Sequence, residues 1–532
     1  MKKIYIKDWL QLKPYTKQVK TDSYYLELCN NVNSAIANHT AFLSENLKIL
    51  LSCFLTSYFE DIISESNIWN SFVEIHKRLY NKQIPFYDVT EYTEAEINEQ
   101  DICFLVWYFM NSIQDEKIIS HETVQILPLA KIVMKIFEDE WDYAPENEEL
   151  KKFYILDEDE DNFINVRELF ETIMFNTYLF HIDISKKLFA SEQRIISSYE
   201  DKQDLGMILY DNKIGVMLES HTKLLGLSAK DWTAEIIGRD HPLSNDIMEI
   251  SPRIKGFFFY KNQDNTDIFV EHIASGKQFK ITKESFSRTD HFKQKNDIMY
   301  MGIVNWKNNW WLTGAQIYVP FNARLVSEQK NSFEARKEVD IIDYKEIPHT
   351  FKKHLKLQHK AFLEFNNGSQ IAFLKADEVA DFIDNFMEFY NNSLKISKEE
   401  MDKSEKDGLK KGLSSKLSKE DRKIFEKYDD GLAFFNPKSG VEWVFGSNSA
   451  FPISNNPFFN SDKSKLHFDR MLFDETISPE IIWFCVENFK DKLPFIANEP
   501  QKEFNDNLDF MLRFWKRDKY NTKPGISLIN NI

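Results

Sequence analysis

The chain has 532 residues and a mass of 63.1 kDa, more than one hydrophobic core organises, so three structural units are expected. An apolar fraction of 42% and an aromatic fraction of 14% exclude disorder for most of its length. The net charge of -17 excludes duplex DNA or an acidic bilayer as a partner of the whole surface, and with only 12 Arg among 67 basic residues base-specific reading is disfavoured.

Residues 1–204 read as an all-helical domain. Its opening, "MKKIYIKDWLQLKPY", lacks an apolar core of signal-peptide length, and the longest apolar run, Ile102 to Met110, is under half a membrane span. With Cys29, Cys53, Cys103 and Cys485 dispersed and no CxxC, the expectation is a cytoplasmic protein with buried free thiols and no membrane partner. Helices are predicted near 22 to 38, from Ser44 as a cap through Leu47, Leu50, Leu51, Phe54, Leu55, Tyr58, Phe59 and Ile62, and near 69 to 80, 122 to 139 and 165 to 200. Another is expected to start at a Thr93–Glu96 capping box and run into the apolar "ICFLVWYFM".

Residues 205–345 read as a β-rich domain. "MILYDNKIGVML" has the alternation of a hairpin turning at Asp211 and Asn212. Five further short strands between about 250 and 325 suggest a meander closing into a small SH3-like or roll-type barrel. Residues 346–532 read as an α+β domain. It contains a hairpin across Asn367-Gly368 in "KAFLEFNNGSQIAFLK", a second in "GLAFFNPKSGVEWVFG", a helix opened by Ser478-Pro479, a closing helix "QKEFNDNLDFMLRFWKRDKY" and a charged arm at 395–430. The fold class is therefore α+β.

The stretches "KIYIKDWLQLKPY", "GIVNWKNNWWLTG", "NNPFF" and "NLDFMLRFWKRDKY" resemble a domain-of-unknown-function family of intracellular proteins from Bacteroides-type bacteria. The resemblance spans most of the chain and implies a bacterial cytoplasmic protein. It implies no activity, cofactor or catalytic residue.

Two candidate sites stand out. "DEDEDNFINVRE" has the ligand spacing of a calcium loop: Asp157, Asp159 and Asp161, the carbonyl of Phe163, Asn165 and a bidentate Glu168. Asn162 replaces the usual glycine and no second loop of this spacing occurs, which favours an acidic cap for the next helix, with calcium as the alternative. In the tryptophan hairpin, Trp306, Trp310 and Trp311 with Phe257, Phe259 and Tyr318 form an aromatic groove for a Pro-rich peptide or an unstacked base, unless the outward-facing ring packs on the helices. The basic stretches near Lys410 and from Arg513 to Lys519 read as solvated helix faces. Asp267, Glu271, His272 and Lys277 form only a weak nuclease-like set.

No GxSxG, Walker, HExxH or Rossmann pattern is present. The leading expectation is a non-catalytic interaction or regulatory protein binding a peptide, or secondly an RNA segment, through the aromatic β module. The alternative is a metal-dependent hydrolase or nuclease of unfamiliar type.

Overall fold

The computed structural model describes residues 2–520 except 88–91, 116, 200–203, 287–293, 333, 337–338, 340–346, 395–398, 400–422, 424, 426, 494 and 496–505. Most of the arm expected at 395–430 and the N-terminal end of the closing helix therefore lie outside the described residues. Mixed α+β architecture with a helical N-terminal part is observed.

The N-terminal part contains α1 (Ile6–Leu10), α2 (Asp22–Ile36), α3 (Glu45–Ser64), α4 (Ile68–Tyr80), α5 (Glu99–Ser112), α6 (Ile126–Glu140), α7 (Glu148–Lys151), α8 (Phe163–Asn176) and α9 (Tyr178–Ser198). Ser44 caps α3 as expected, its hydroxyl accepting from the Leu47 N–H. α5 begins later than the Thr93–Glu96 motif suggested. Asn98 occupies its N-cap position, and the Asn98 side chain ties back to the Thr93 and Glu96 carbonyls instead. The helix expected at 165 to 200 is two helices, broken at Thr177, which is extended and bonds through its hydroxyl to the Thr172 carbonyl.

Helix continues well past residue 205 through α10 (Leu205–Glu219), α11 (Ala229–Ile236) and α12 (Ser244–Met248). The hairpin expected in "MILYDNKIGVML" is thus α10, and local structure changes only at Ile254. Apolar residues surround α10 on all sides, so its pattern fits period 2 as readily as 3.6. Asp211, read as a turn residue, is buried and pairs with Arg253 and Lys255 of the β module.

Five strands follow: β1 (Ile254–Gln263), β2 (Asp267–His272), β3 (Gln278–Thr282), β4 (Ile298–Trp306) and β5 (Asn309–Val319). They close in the order β1-β2-β3-β5-β4, with β4 returning to pair with β1 and β5 meeting β3 in parallel at Ile281 and Trp310. This is a crossover, Greek-key connection and not the simple meander expected. Inward residues Ile254, Phe258, Ile268, Val270, Phe279, Ile281, Met299, Met301 and Ile303 fill the barrel, and Val339 plugs it.

After α13 (Ala323–Asn331) come α14 (Ile347–Phe365), β6 (Ile371–Lys375), α15 (Val379–Ser393), β7 (Asp430–Asn436), β8 (Gly440–Phe445), α16 (Ser464–Phe473), α17 (Pro479–Phe489), α18 (Leu508–Trp515) and α19 (Arg517–Tyr520). The "GLAFF…WVFG" hairpin is present as β7 and β8, and Pro479 opens α17. The Asn367-Gly368 hairpin is not: its first arm is the end of α14. Asn367 and Gly368 both have positive φ, and the Gly368 N–H reaches the Leu363 carbonyl, so the pair terminates a helix. The same dipeptide suits a hairpin turn or a helix C-terminus, because both need left-handed residues.

The three-stranded sheet β6-β7-β8 buries one face under α14 and α15 and the other in the large core shared with the N-terminal helices. α18 joins these halves. Its Phe510 and Phe514 lie 6.0 and 5.2 Å, ring to ring, from Trp107 of α5.

Candidate functional site

Strand alternation sends the six aromatic residues of the expected groove to different places. Trp310 points into the barrel, its ring edge-on to Phe279 at 4.8 Å. Trp306 and Trp311 point outward but are only 1% and 2% exposed, because Phe163 of α8 packs on both at 6.0 and 6.2 Å. Phe259 is buried under α13 with Ile273 and Ile298, near Leu325 and Val326. Tyr318 lies exposed toward the end of β5, opposite Met299. The single six-residue groove is therefore not assembled, and the outer tryptophans act as the seat of the barrel on the helices.

A second contact fixes the same junction. Arg253 inserts its guanidinium between Gly302 and Gly314, where a Cβ on either residue would collide with the Arg253–Asp211 pair, and Gly314 also needs its positive φ of 75°. Arg253 donates to the Thr313 hydroxyl at 3.0 Å and pairs with Asp211 of α10. What the barrel leaves accessible is the outer face of β1 and β4, where half-buried Phe257 and Tyr300 sit in register with ring centroids 4.8 Å apart. The Lys255 ammonium lies 5.5 Å from the Tyr300 ring.

The acidic loop is a helix cap. Residues 157–162 form a turn and α8 already begins at Phe163, so the fourth to sixth expected ligands, Phe163, Asn165 and Glu168, belong to regular helix. The Asn162 side chain accepts from the Ile164 N–H at 2.9 Å, and Glu160 accepts from the Asn162 N–H and the Asn165 side chain. Partial burial pushes the Glu160 carboxyl up, but these bonds, joined by the nearby Lys307 ammonium, outweigh it and hold the carboxyl below its ordinary value. Among the described residues no three His, Cys, Asp or Glu side chains are placed to hold a metal ion, so Asp157, Asp159 and Asp161 do not converge with Glu168. The loop also touches the barrel, its Glu160 carbonyl accepting from Lys307 at the tip of the tryptophan hairpin at 2.7 Å.

The weak nuclease-like set separates as well. Asp267 and Glu271 pair outward with Lys280 and Lys261 at 2.9 and 3.0 Å, whereas His272 is buried with Phe258, bonded to Ser275 and facing Gly256. Of the basic stretches, the one near Lys410 lies outside the described residues. The other, Arg513 to Lys519, is not a solvated face: Lys516 and Arg517 are buried, the first donating to the Met471 and Asp474 carbonyls and the second pairing with Asp183 of α9.

Sequence reasoning missed the buried ionisable groups of the helical domain. Asp101 accepts on one oxygen from Tyr58 at 2.9 Å, Trp69 Nε1 at 2.9 Å, Tyr92 at 3.2 Å and Asn98 at 3.4 Å. Burial nevertheless pushes its carboxyl up to about 7. Asp61, bonded by Tyr178 and the backbone of Ile68 and Trp69, is pushed up to about 6 for the same reason. Beside them Glu60 takes Lys13 and Asn147. The visible signal was a carboxylate inside an otherwise apolar helix, as in "SYFEDII" and "QDICFLV". All of these groups are sealed from solvent and tie the helices of the platform to one another, with the second oxygen of Asp101 buried without a partner among the described residues, so they organise the platform and do not form an open site.

Residues 3–265 match the family model described as "Protein of unknown function (DUF3843)", so this stretch is a domain of unknown function. The match ends just beyond β1, and it includes only the first of the four stretches on which the family resemblance rests. No curated protein and no solved structure matches the chain. Among the described residues no helix is long and apolar enough to cross a membrane.

Proposed function

We propose that this is a non-catalytic interaction or regulatory protein of the bacterial cytoplasm, in which helices carry a small β-barrel that binds a peptide segment. The observation that supports this most is the division of the barrel's aromatic residues. Trp306, Trp311 and Arg253 anchor it to α8 and α10, and Phe257 and Tyr300 remain on its outer face with Lys255 beside them. An apolar or proline side chain flanked by an acidic one complements such a pair. Four buried free thiols support a reducing compartment.

A second reading, RNA, is favoured by the strand order. Five-stranded Greek-key barrels bind oligonucleotides on the face of their second and third strands. Here that face carries Asp267 and Glu271 beside Lys280, a balance that weakens phosphate binding and places the peptide first.

Panning a random peptide library on the full-length protein tests the proposal. An enriched peptide whose binding is lost in Tyr300→Ala and Phe257→Ala but kept in a stably folded Trp310→Ala supports it. Enrichment indifferent to both outer-face changes overturns it, as does the absence of any enriched peptide. Filter retention of single-stranded RNA in place of peptide selects the second reading.

A further inference from the structure

Cys29 of α2 and Cys53 of α3 face each other where the two helices pack, their sulfurs 3.5 Å apart and both side chains buried. No other two cysteines of the chain meet in this way. Cys485 donates to the Ala450 carbonyl at 3.3 Å, and Cys103 lies apart on α5. The surroundings divide the roles within the pair. Burial, reinforced by Cys53 itself, holds the Cys29 thiol well above its ordinary value, so Cys29 keeps its proton and points it at the Cys53 sulfur. Two neighbours act the other way on Cys29: the Thr56 hydroxyl, which has no further partner among the described residues, and the buried Lys13 ammonium, which bonds to Ser57 of α3 at 3.0 Å. Both favour a sulfur that has given up its proton, the form in which cysteine reacts.

We propose that Cys29 and Cys53 are an oxidation site that closes to a disulfide, with hydrogen peroxide as the oxidant, and so locks α2 to α3. A bond of about 2 Å requires the two sulfurs to approach by about 1.5 Å, which rotation of the two side chains supplies. The Cys53 sulfur attacks one peroxide oxygen, an S–O bond forms, the O–O bond breaks, and the departing hydroxide leaves as water with the Cys53 proton. The Cys29 sulfur then attacks Cys53. The S–S bond forms as the S–O bond breaks, and the second hydroxide leaves as water with the Cys29 proton. Two electrons pass from the thiols to one peroxide molecule, and two waters are released. Peroxide, little larger than water, reaches the pair by local opening of the helices, whereas a bulkier thiol does not follow it. Burial that slows the closing therefore also protects the closed bond from reduction.

Peptide mapping of the full-length folded protein tests the proposal: treatment with hydrogen peroxide, alkylation of the remaining thiols, and digestion without reductant. The expected product joins the peptides that hold Cys29 and Cys53, in about tenfold or greater excess over any pairing with Cys103 or Cys485. Closing is expected to raise the thermal midpoint by about 3 °C, because the bond ties residues 24 apart in sequence. Cys53→Ser is expected to lose both the link and the rise, and Cys103→Ser to keep both. A folded wild-type protein that retains all four thiols overturns the proposal, as does oxidation that leaves the two peptides unjoined. A link that forms only after urea has unfolded the chain, or that leaves the midpoint unmoved, overturns it too.

Discussion

Asp101 holds four donors on one oxygen, yet burial pushes its carboxyl from 3.8 up to about 7. Between those values the folded protein keeps a proton that the unfolded chain releases. Stability contributed by this group therefore falls as pH rises through that window, and is constant below and above it. Asp101→Asn is expected to flatten the dependence of the urea midpoint on pH from 4 to 7, leaving the smaller slope of Asp61, whose carboxyl lies near 6. Asp101→Leu is expected to cost about 3 kcal/mol or more at pH 7, because Tyr58, Trp69, Tyr92 and Asn98 lose their shared acceptor. Equal pH slopes in wild type and Asp101→Asn contradict the assignment. The residue types of this cluster were visible in the sequence, but their convergence was not, since Tyr58, Trp69 and Asp101 come from three helices. In the tryptophan hairpin, by contrast, alternation alone told that Trp310 and Trp311 face opposite ways. Only the position of Phe163 decides that the outward rings are covered.

At the scale of elements, α8 shows how one acidic stretch carries two readings. Its spacing admits a calcium loop, but Asn162 at the N-cap and Glu160 behind it satisfy the first amide groups directly. Asn162→Ala is expected to lower stability by about 1 kcal/mol in urea unfolding. Millimolar calcium is expected to leave the melting midpoint of the wild type unmoved, and a rise abolished by Asp157→Ala would restore the metal reading. A helix with one apolar stripe, such as α4, was legible almost to the residue, because burial on one side imposes the 3.6-residue period, whereas α3, expected to bury one stripe, is buried on every side from Leu51 to Ile62. α10 was not, having apolar side chains all round. The end of α14 was not either, because Asn-Gly serves a helix terminus as well as a hairpin.

For the whole molecule, the α+β class and the helical N-terminal part were readable, whereas the way the parts share a core was not. No pattern in the chain announces that α18 lies against α5, with Arg517 paired to Asp183 and Tyr80 donating to Asp509 at 2.6 Å. The family match stops at residue 265, yet β1 needs β2 and β4, and Trp107 needs Phe510 and Phe514. A protein cut at residue 265 is expected to show helical circular dichroism without a cooperative urea transition, and a sharp transition like that of the full chain would refute this dependence. The placement of α18 has a consequence for synthesis on the ribosome. At about 5 to 20 residues per second the aromatic cleft on α5 waits on the order of tens of seconds for its own C-terminal filling, so depletion of chaperones that shield nascent chains is expected to trap this protein more readily than one whose halves mature separately.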